Sequence, residues 1–321
     1  MSLIWSLVIA ALILILVAFL ICFYCFRVGF YSPPRKPLPE GEIEFPEGEI
    51  YEPYHDSMRR WAEEARAMNP KTFQIQSFDG LTLRGKYYEF QPGAPIELMF
   101  HGYRGSGERD LTGGVQRCFR CGRSALIVDQ RASGTSDGNI ITFGAKEHRD
   151  CLSWLDFMLQ QFGPDVKIIL TGISMGAATV LLAGGKSLPK NVLGILADCG
   201  YHSAKAIMMK TIKEMGLPPK LAYPFVKLSA RLLAHFDLEE AEPVQAVKSC
   251  TVPVLFFHGD NDDFVPWEMS QANYDACASR KKLVLIPGAG HGLAYPKDPE
   301  LYLSAAREFF GPEATALAQE V

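Results

Sequence analysis

The chain has 321 residues, 48% hydrophobic and 21% charged, with a formal net charge of −4. That much apolar material excludes a disordered chain and suffices for one large packed domain or two small ones. The near-balanced charge offers no basic field for nucleic acid, and no nucleic-acid-binding motif is present.

The first element is an apolar run. Leu3 to Phe26 carries no charge and is long enough to cross a hydrocarbon core as one helix. A cleaved signal peptide would want a basic segment ahead of a shorter run and small residues at its end. Here no Lys or Arg precedes the run, and Phe23, Tyr24 and Phe26 close it. Residues 1–30 therefore read as a retained single-pass anchor that meets the membrane through residues 3–26. Arg27, Arg35 and Lys36 follow it, and the positive-inside bias places the rest of the chain on the cytoplasmic side. The cysteines are scattered without a disulfide framework, which suits a reducing compartment. Residues 31–69 read as a proline-rich stalk, SPPRKPLP, and an acidic extension ending in a helix at 57–68. Removal of residues 1–30 is expected to leave a soluble, folded domain.

From Lys71 the pattern changes. Residues 72–76 and 81–88 alternate about an Asp79-Gly80 turn and read as a hairpin. Strands follow at 95–100, 124–128, 166–170, 192–197, 252–257 and 282–286. Helices fall at 110–121, 145–161, from Ala177, near 270–278 and at 299–310. This rhythm defines an α/β protein with a mostly parallel central sheet covered by helices on both faces. It breaks over about 201–250, where helical periods mix with Pro218-Pro219 and Pro224, and this stretch reads as a helical lid insertion. Its Met208, Met209 and Met215 are either plain core or the lining of an adaptable acyl pocket. The domain spans 70–312, with a tail at 313–321.

In such a sheet, ligands gather beyond the carboxyl ends of the strands. Gly172-Ile173-Ser174-Met175-Gly176 stands there, between a buried strand and a helix. The glycines let backbone pass close by, and the bend pushes the serine Oγ out at the N-terminus of the helix. A hydroxyl is a weak nucleophile at neutral pH and needs a base, an acid and an oxyanion site. Three strand-end loops supply these parts in the order serine, acid, histidine: Ser174 as nucleophile, an aspartate of the 260–263 group, and His291 as general base. His291 lies in a glycine-flanked loop with no apolar period to explain it. Of the other histidines, His55 precedes the strands, His148 and His235 fall in expected helices, and His202 begins the insertion. His101 and His258 open loops whose backbone they can hold. Asp260, Asp262 and Asp263 crowd together, and spacing does not choose among them. Those not bound to the histidine would cap the helix near Pro266, and a metal-ligand role is the weaker alternative. The oxyanion donors are the backbone N–H groups of Met175 and of Tyr103, in the loop after strand 95–100.

No cofactor or metal is expected. Cys118-Phe119-Arg120-Cys121 has no second pair at zinc spacing, and it reads as helix thiols without a task. Gly102, Gly105 and Gly107 match neither a dinucleotide fingerprint nor a P-loop.

Taken together, these segments resemble the α/β-hydrolase superfamily. His101-Gly102-Tyr103-Arg104-Gly105 is similar to its oxyanion loop, Gly172–Gly176 to its nucleophile elbow and Gly290-His291-Gly292 to its histidine loop. His258–Pro266 is similar to its H-G-x-x-D-x-x-V-P acid loop, and that match selects Asp262. Asp129–Ser136 is similar to its D-x-R-G-x-G-x-S loop, with Ala132 where the family has glycine. The likeness spans about residues 70–312, outside the anchor and stalk, and is nearest to bacterial membrane-anchored hydrolases and serine esterase or peptidase-like members. It implies an α/β-hydrolase fold and hydrolysis of a small-molecule or lipid-like carboxylic ester through an acyl-enzyme. Peptidase, amidase and thioesterase chemistry are the alternatives, and a catalytically silent membrane scaffold is the alternative of another class.

Overall fold

The computed structural model describes residues 3–34, 39 and 41–316. Arg35, Lys36 and the end of the expected tail lie outside the described residues. Eight strands form one sheet: β1 (Lys71–Gln76), β2 (Thr82–Tyr88), β3 (Ile96–Phe100), β4 (Ser124–Asp129), β5 (Ile168–Ile173), β6 (Val192–Asp198), β7 (Val254–Gly259) and β8 (Lys281–Ile286). Their order is β1-β2-β4-β3-β5-β6-β7-β8. β2 pairs antiparallel with both β1 and β4, and every other pairing is parallel, so β2 alone runs against the rest.

The helices are α1 (Leu3–Gly29), α2 (His55–Ala67), α3 (Gly107–Arg120), α4 (Glu147–Phe162), α5 (Met175–Gly184), α6 (Ala204–Glu214), α7 (Pro219–Leu232), α8 (Pro243–Ala246), α9 (Glu268–Ala276), α10 (Ala294–Lys297) and α11 (Pro299–Phe310). Strand side chains alternate between two apolar layers, as the pleat requires. Leu98, Phe100, Leu170 and Phe256 pack with Trp154 and Met158 of α4 and Val180 of α5. On the opposite face, Met99 and Ile127 meet Leu111 and Val115 of α3, while Ile169 and Phe257 meet Leu303 and Ala306 of α11. Both faces are thereby covered, which is why the strands read as continuous apolar runs.

The expected boundaries shift in informative places. β5 runs on to Ile173, because Thr171, Gly172 and Ile173 keep pairing with Leu196, Ala197 and Asp198. His235 stands beyond the end of α7 with φ 56°, not in a helix. Ala132 takes φ 59° where the family pattern has glycine, a conformation that costs an L-residue about 1–2 kcal/mol.

α1 is long and apolar enough to cross a membrane: its 27 residues span about 40 Å at about 1.5 Å per residue. It is not set apart from the domain, because it packs against α7. Just past it, Phe30 is 0% exposed and stands edge-on to Phe143 at 5.9 Å and to Phe236 at 5.3 Å. Tyr31 bridges Ile140, and Ser32 N–H donates to the Asn139 carbonyl at 2.9 Å. A cut after residue 30 therefore removes a core side chain, which corrects the expectation that residues 1–30 are separable.

Candidate active site

Ser174 lies between β5 and α5 with φ 55° and ψ −117°, left-handed backbone that a non-glycine residue holds only under constraint. Its neighbours explain how. A Cβ on Gly172 would stand 2.1 Å from the Gly176 carbonyl oxygen, and one on Gly176 would stand 2.0 Å from the Phe100 carbonyl oxygen. Only glycine fits at either place, so the bend closes and the serine projects from it.

His291 reaches Ser174 from the loop after β8. Its Nδ1–H donates to Asp262 Oδ2 at 2.7 Å, which leaves Nε2 to accept from the Ser174 hydroxyl at 2.9 Å. Phe264 stands edge-on to the imidazole at 5.0 Å. The Asp262 side chain is buried, and its Oδ1 accepts from the N–H groups of Phe264 at 3.0 Å and Val265 at 2.8 Å. Burial alone would push its carboxyl up. The hydrogen bonds from His258 and His291, the charge His291 can carry and the Val265 N–H outweigh that and hold it well below the usual carboxylate range. Asp260 and Asp263 are exposed. Asp260 accepts from the Gly288 N–H at 2.6 Å, and the carboxylate that meets His291 Nδ1 is that of Asp262.

Of the two expected oxyanion donors, Met175 opens α5, where first-turn N–H groups have no intrahelical acceptor. The loop carrying Tyr103 closes against the serine: a Cβ on Gly102 would lie 3.6 Å from that of Ser174. The Gly102 N–H is fixed by Asp110 Oδ2 at 3.1 Å. Side chains of the same loop grip the end of α1. Tyr103 OH donates to the Gly29 carbonyl at 2.9 Å, and Arg104 donates to the carbonyls of Val28 at 2.9 Å and Tyr31 at 3.0 Å.

Two histidines open strand-end loops and act on their structure. His101 Nε2 accepts from the Gln130 N–H at 3.0 Å, so its Nδ1–H donates to the Gly102 carbonyl at 2.7 Å. His258 Nε2–H is shared between the Val265 carbonyl at 2.8 Å and Asp262 Oδ2 at 3.2 Å, while Ser270 OH donates to its Nδ1 at 2.7 Å. His258 thus holds loop backbone, as its place in the sequence suggested, and also steadies the Asp262 carboxylate. Cys199, at the end of β6, lies with Asp262 and His291 in a group whose ligand atoms are all within 4.8 Å. Burial pushes its thiol well up, and both His291 nitrogens already hold protein partners. A metal ion there would displace those contacts.

A cavity of about 800 Å³ opens at Ser174 and His291. Its roof comes from the N-terminal extension: Glu44, the stretch Pro46–Tyr51, Met58 and Trp61. No residue of the 201–250 insertion lines it, and Met208 and Met209 pack instead in an apolar cluster with Phe30 and Met175. Met215 is exposed. Met208 and Met209 thus take the plain-core alternative, and the methionines that line the cavity are Met58 and Met99. Extension residues such as Trp61 carried no motif, although an apolar face on a short helix was the available signal.

Residues 98–305 match the profile described as the alpha/beta hydrolase family. The chain belongs to that family. It is 25% identical to protein YqkD of Bacillus subtilis over 59% of this chain and 62% of that protein. It is 30% identical to the mitochondrial palmitoyl-protein thioesterase ABHD10 of Rattus norvegicus over 48% of this chain and 53% of that protein. Each match thus spans less than two thirds of the relative's length. The esterase Pf2001 of Pyrococcus furiosus superposes with a TM-score of 0.65 over 87% of this chain and 97% of its own, at 20% identity, which is a likeness of fold.

Proposed function

We propose that the chain is a serine hydrolase that cleaves carboxylic esters, held at a membrane by α1 with its domain on the cytoplasmic side. The observation that carries this reading is the line Ser174–His291–Asp262, at 2.9 and 2.7 Å, on a bend that only glycines allow. Ser174 Oγ attacks the carbonyl carbon while His291 Nε2 takes its proton. The N–H groups of Met175 and Tyr103 receive the oxyanion. His291 then gives the proton to the leaving oxygen, and the acyl-enzyme is opened by water that His291 deprotonates. Asp262 holds the imidazole in the required tautomer. The thioesterase named among the relatives supports a thioester as a second substrate for the same steps.

The test is labelling of the full chain in detergent with a fluorophosphonate probe, followed by turnover of 4-nitrophenyl esters, acyl thioesters and aminoacyl amides. Labelling is expected at Ser174, with turnover abolished in Ser174→Ala and His291→Ala and reduced about 10⁴-fold in Asp262→Asn. Asp260→Asn and Asp263→Asn should retain activity. A folded chain that takes no label would favour a silent scaffold, and preference for amides would move the reading to a peptidase. Protease cleavage of the domain from the outer face of intact cells would overturn the cytoplasmic placement.

A further inference from the structure

The cavity has a polar inner end that the proposed chemistry does not use. In the parallel register, Asp198 pairs with Ile173, the residue before the nucleophile, and Thr171 pairs with Met99. Thr171, Asp198, Met99, Arg117 and Tyr302 all line the cavity. It therefore descends along the sheet face that α3 and α11 cover. Thr171 lies three residues before Ser174, a descent of about 10 Å at 3.3 Å per residue. α3 makes room for it. Gly113 and Gly114 stand in mid-helix, where glycine is disfavoured against alanine. A Cβ on Gly113 would meet Trp61 at 2.7 Å, and one on Gly114 would meet Met99 Sδ at 2.9 Å.

The floor is charged and deeply buried. Arg117 and Arg123 both pair with Glu97, Arg123 Nη1 at 2.6 Å from Glu97 Oε1, and Thr171 OH donates to the same carboxylate at 2.9 Å. Two guanidinium groups share one carboxylate, and Asp198 is the second acidic group at this end of the cavity. Tyr302 OH donates to Asp198 Oδ2 at 3.0 Å. Arg117 is 3% exposed and Asp198 5%, yet Arg117 Nη1 and Asp198 Oδ1 have no hydrogen-bond partner among the described residues. Buried polar atoms are normally satisfied, and leaving one bare is costly. Burial pushes the Asp198 carboxyl up, against the pull of the Tyr302 hydroxyl and of the neighbouring His258 and Arg117.

We propose that this inner end is a subsite for an oxygen function, a hydroxyl or a carboxylate, at the far end of one arm of the substrate. Arg117 Nη1–H donates to that oxygen and Asp198 Oδ1 bonds the same group. An arm ending in methyl would leave both atoms bare. The subsite deepens the ester hydrolase reading by naming the kind of ester, one whose arm is apolar along its length and oxygenated at its tip.

The test separates the subsite from the chemistry by reading binding alone. Octanoate, ω-hydroxyoctanoate and octanedioate are titrated calorimetrically into the full-length Ser174→Ala chain in detergent. At least one oxygen-tipped ligand is expected to bind about tenfold or more tightly than octanoate, the scale of a hydrogen bond to a charged group. Arg117→Met should abolish that preference. Because it also strips a partner from Glu97, Asp198→Asn serves as the second variant, being isosteric and keeping an acceptor for Tyr302. With the amide oxygen kept for Tyr302, it places an N–H donor where Oδ1 stood, so it should shift the preference from ω-hydroxyoctanoate toward octanedioate and leave octanoate unchanged. Octanoate binding as tightly as both others, or equal losses for all three in Asp198→Asn, would overturn the subsite. A preference that persists in a chain whose wild-type form turns over no ester would keep the subsite and overturn the hydrolase reading.

Discussion

The insertion between β6 and β7 and the segment ahead of β1 exchange the roles their sequences promise. The insertion has the look of a cover, with helices, methionines and prolines breaking the strand-helix rhythm. It packs instead on the far side of α5, where Ile207, Tyr223, Val226 and Phe236 form one cluster with Phe30 and Met175. The segment before β1 is acidic and has no clean period, yet its Pro46–Tyr51 stretch and Trp61 lie over the cavity. α2 is fastened to α3 through Trp61 on Gly113 and Arg66 on Glu108 at 2.6 Å. A cover is thus identified by what it buries against, and an irregular composition marks only that the regular rhythm has stopped. The comparison also changes the meaning of α1, whose end is bound both to the insertion and to the loop beside Ser174.

The strongest way to break this comparison is truncation. Deleting residues 1–30 removes Phe30 from its cluster and the carbonyls that Tyr103 and Arg104 hold. Loss of a buried phenylalanine alone costs about 3–5 kcal/mol, so this form is expected to lose most of its thermal stability and its ester turnover. Deleting residues 1–20 leaves those contacts in place and should preserve both. Equal melting temperatures for the two forms would show that α1 is only a tether.

Next comes a paired substitution in roof and insertion. Trp61→Ala should lower stability by about 3–5 kcal/mol in urea unfolding and widen the accepted range of ester sizes. Met208→Ala lies outside the cavity and should leave size preference untouched, whatever its smaller cost in stability. A changed preference in Met208→Ala would restore the insertion as the cover. A milder probe is Ile50, which lines the cavity but is 51% exposed. Ile50→Ala should change KM for long-chain esters with little effect on stability, since surface changes are usually within about 0.5 kcal/mol.

The smallest expected effect concerns pH. Burial raises the Glu108 carboxyl, but hydrogen bonds and charge from Lys86 and Arg66 outweigh it and hold it below the ordinary value of 4.5. A group depressed in the folded state contributes stability above its unfolded value and loses it as pH falls through its folded one. Glu108→Gln should therefore cost less than about 1 kcal/mol at neutral pH, the pair being partly solvated, and the cost should fade below pH 4.5. A cost that grows on acidification would contradict the depressed carboxyl.

Much of the sheet was legible because buried parallel strands are short apolar runs punctuated by polar loops, a pattern written locally in the chain. Ser174, Met175 and Tyr103 could be placed at the carboxyl edge for the same reason, since each follows directly on such a run. Asp262 was separable from Asp260 and Asp263 only through a family pattern. Its neighbours differ from it in burial and partners, which are properties of the folded chain. The roof, the grip of Tyr103 and Arg104 on α1, and the column of Glu97, Arg117, Arg123 and Asp198 were decided by the tertiary structure alone. Each joins residues far apart in the chain through contacts that have no period along it: Gly113 admits Trp61 only once α2 lies on α3, and Arg117 reaches Glu97 only once α3 lies on β3. Sequence periodicity records which side of an element is buried. Which other element buries it depends on the packing of the whole chain.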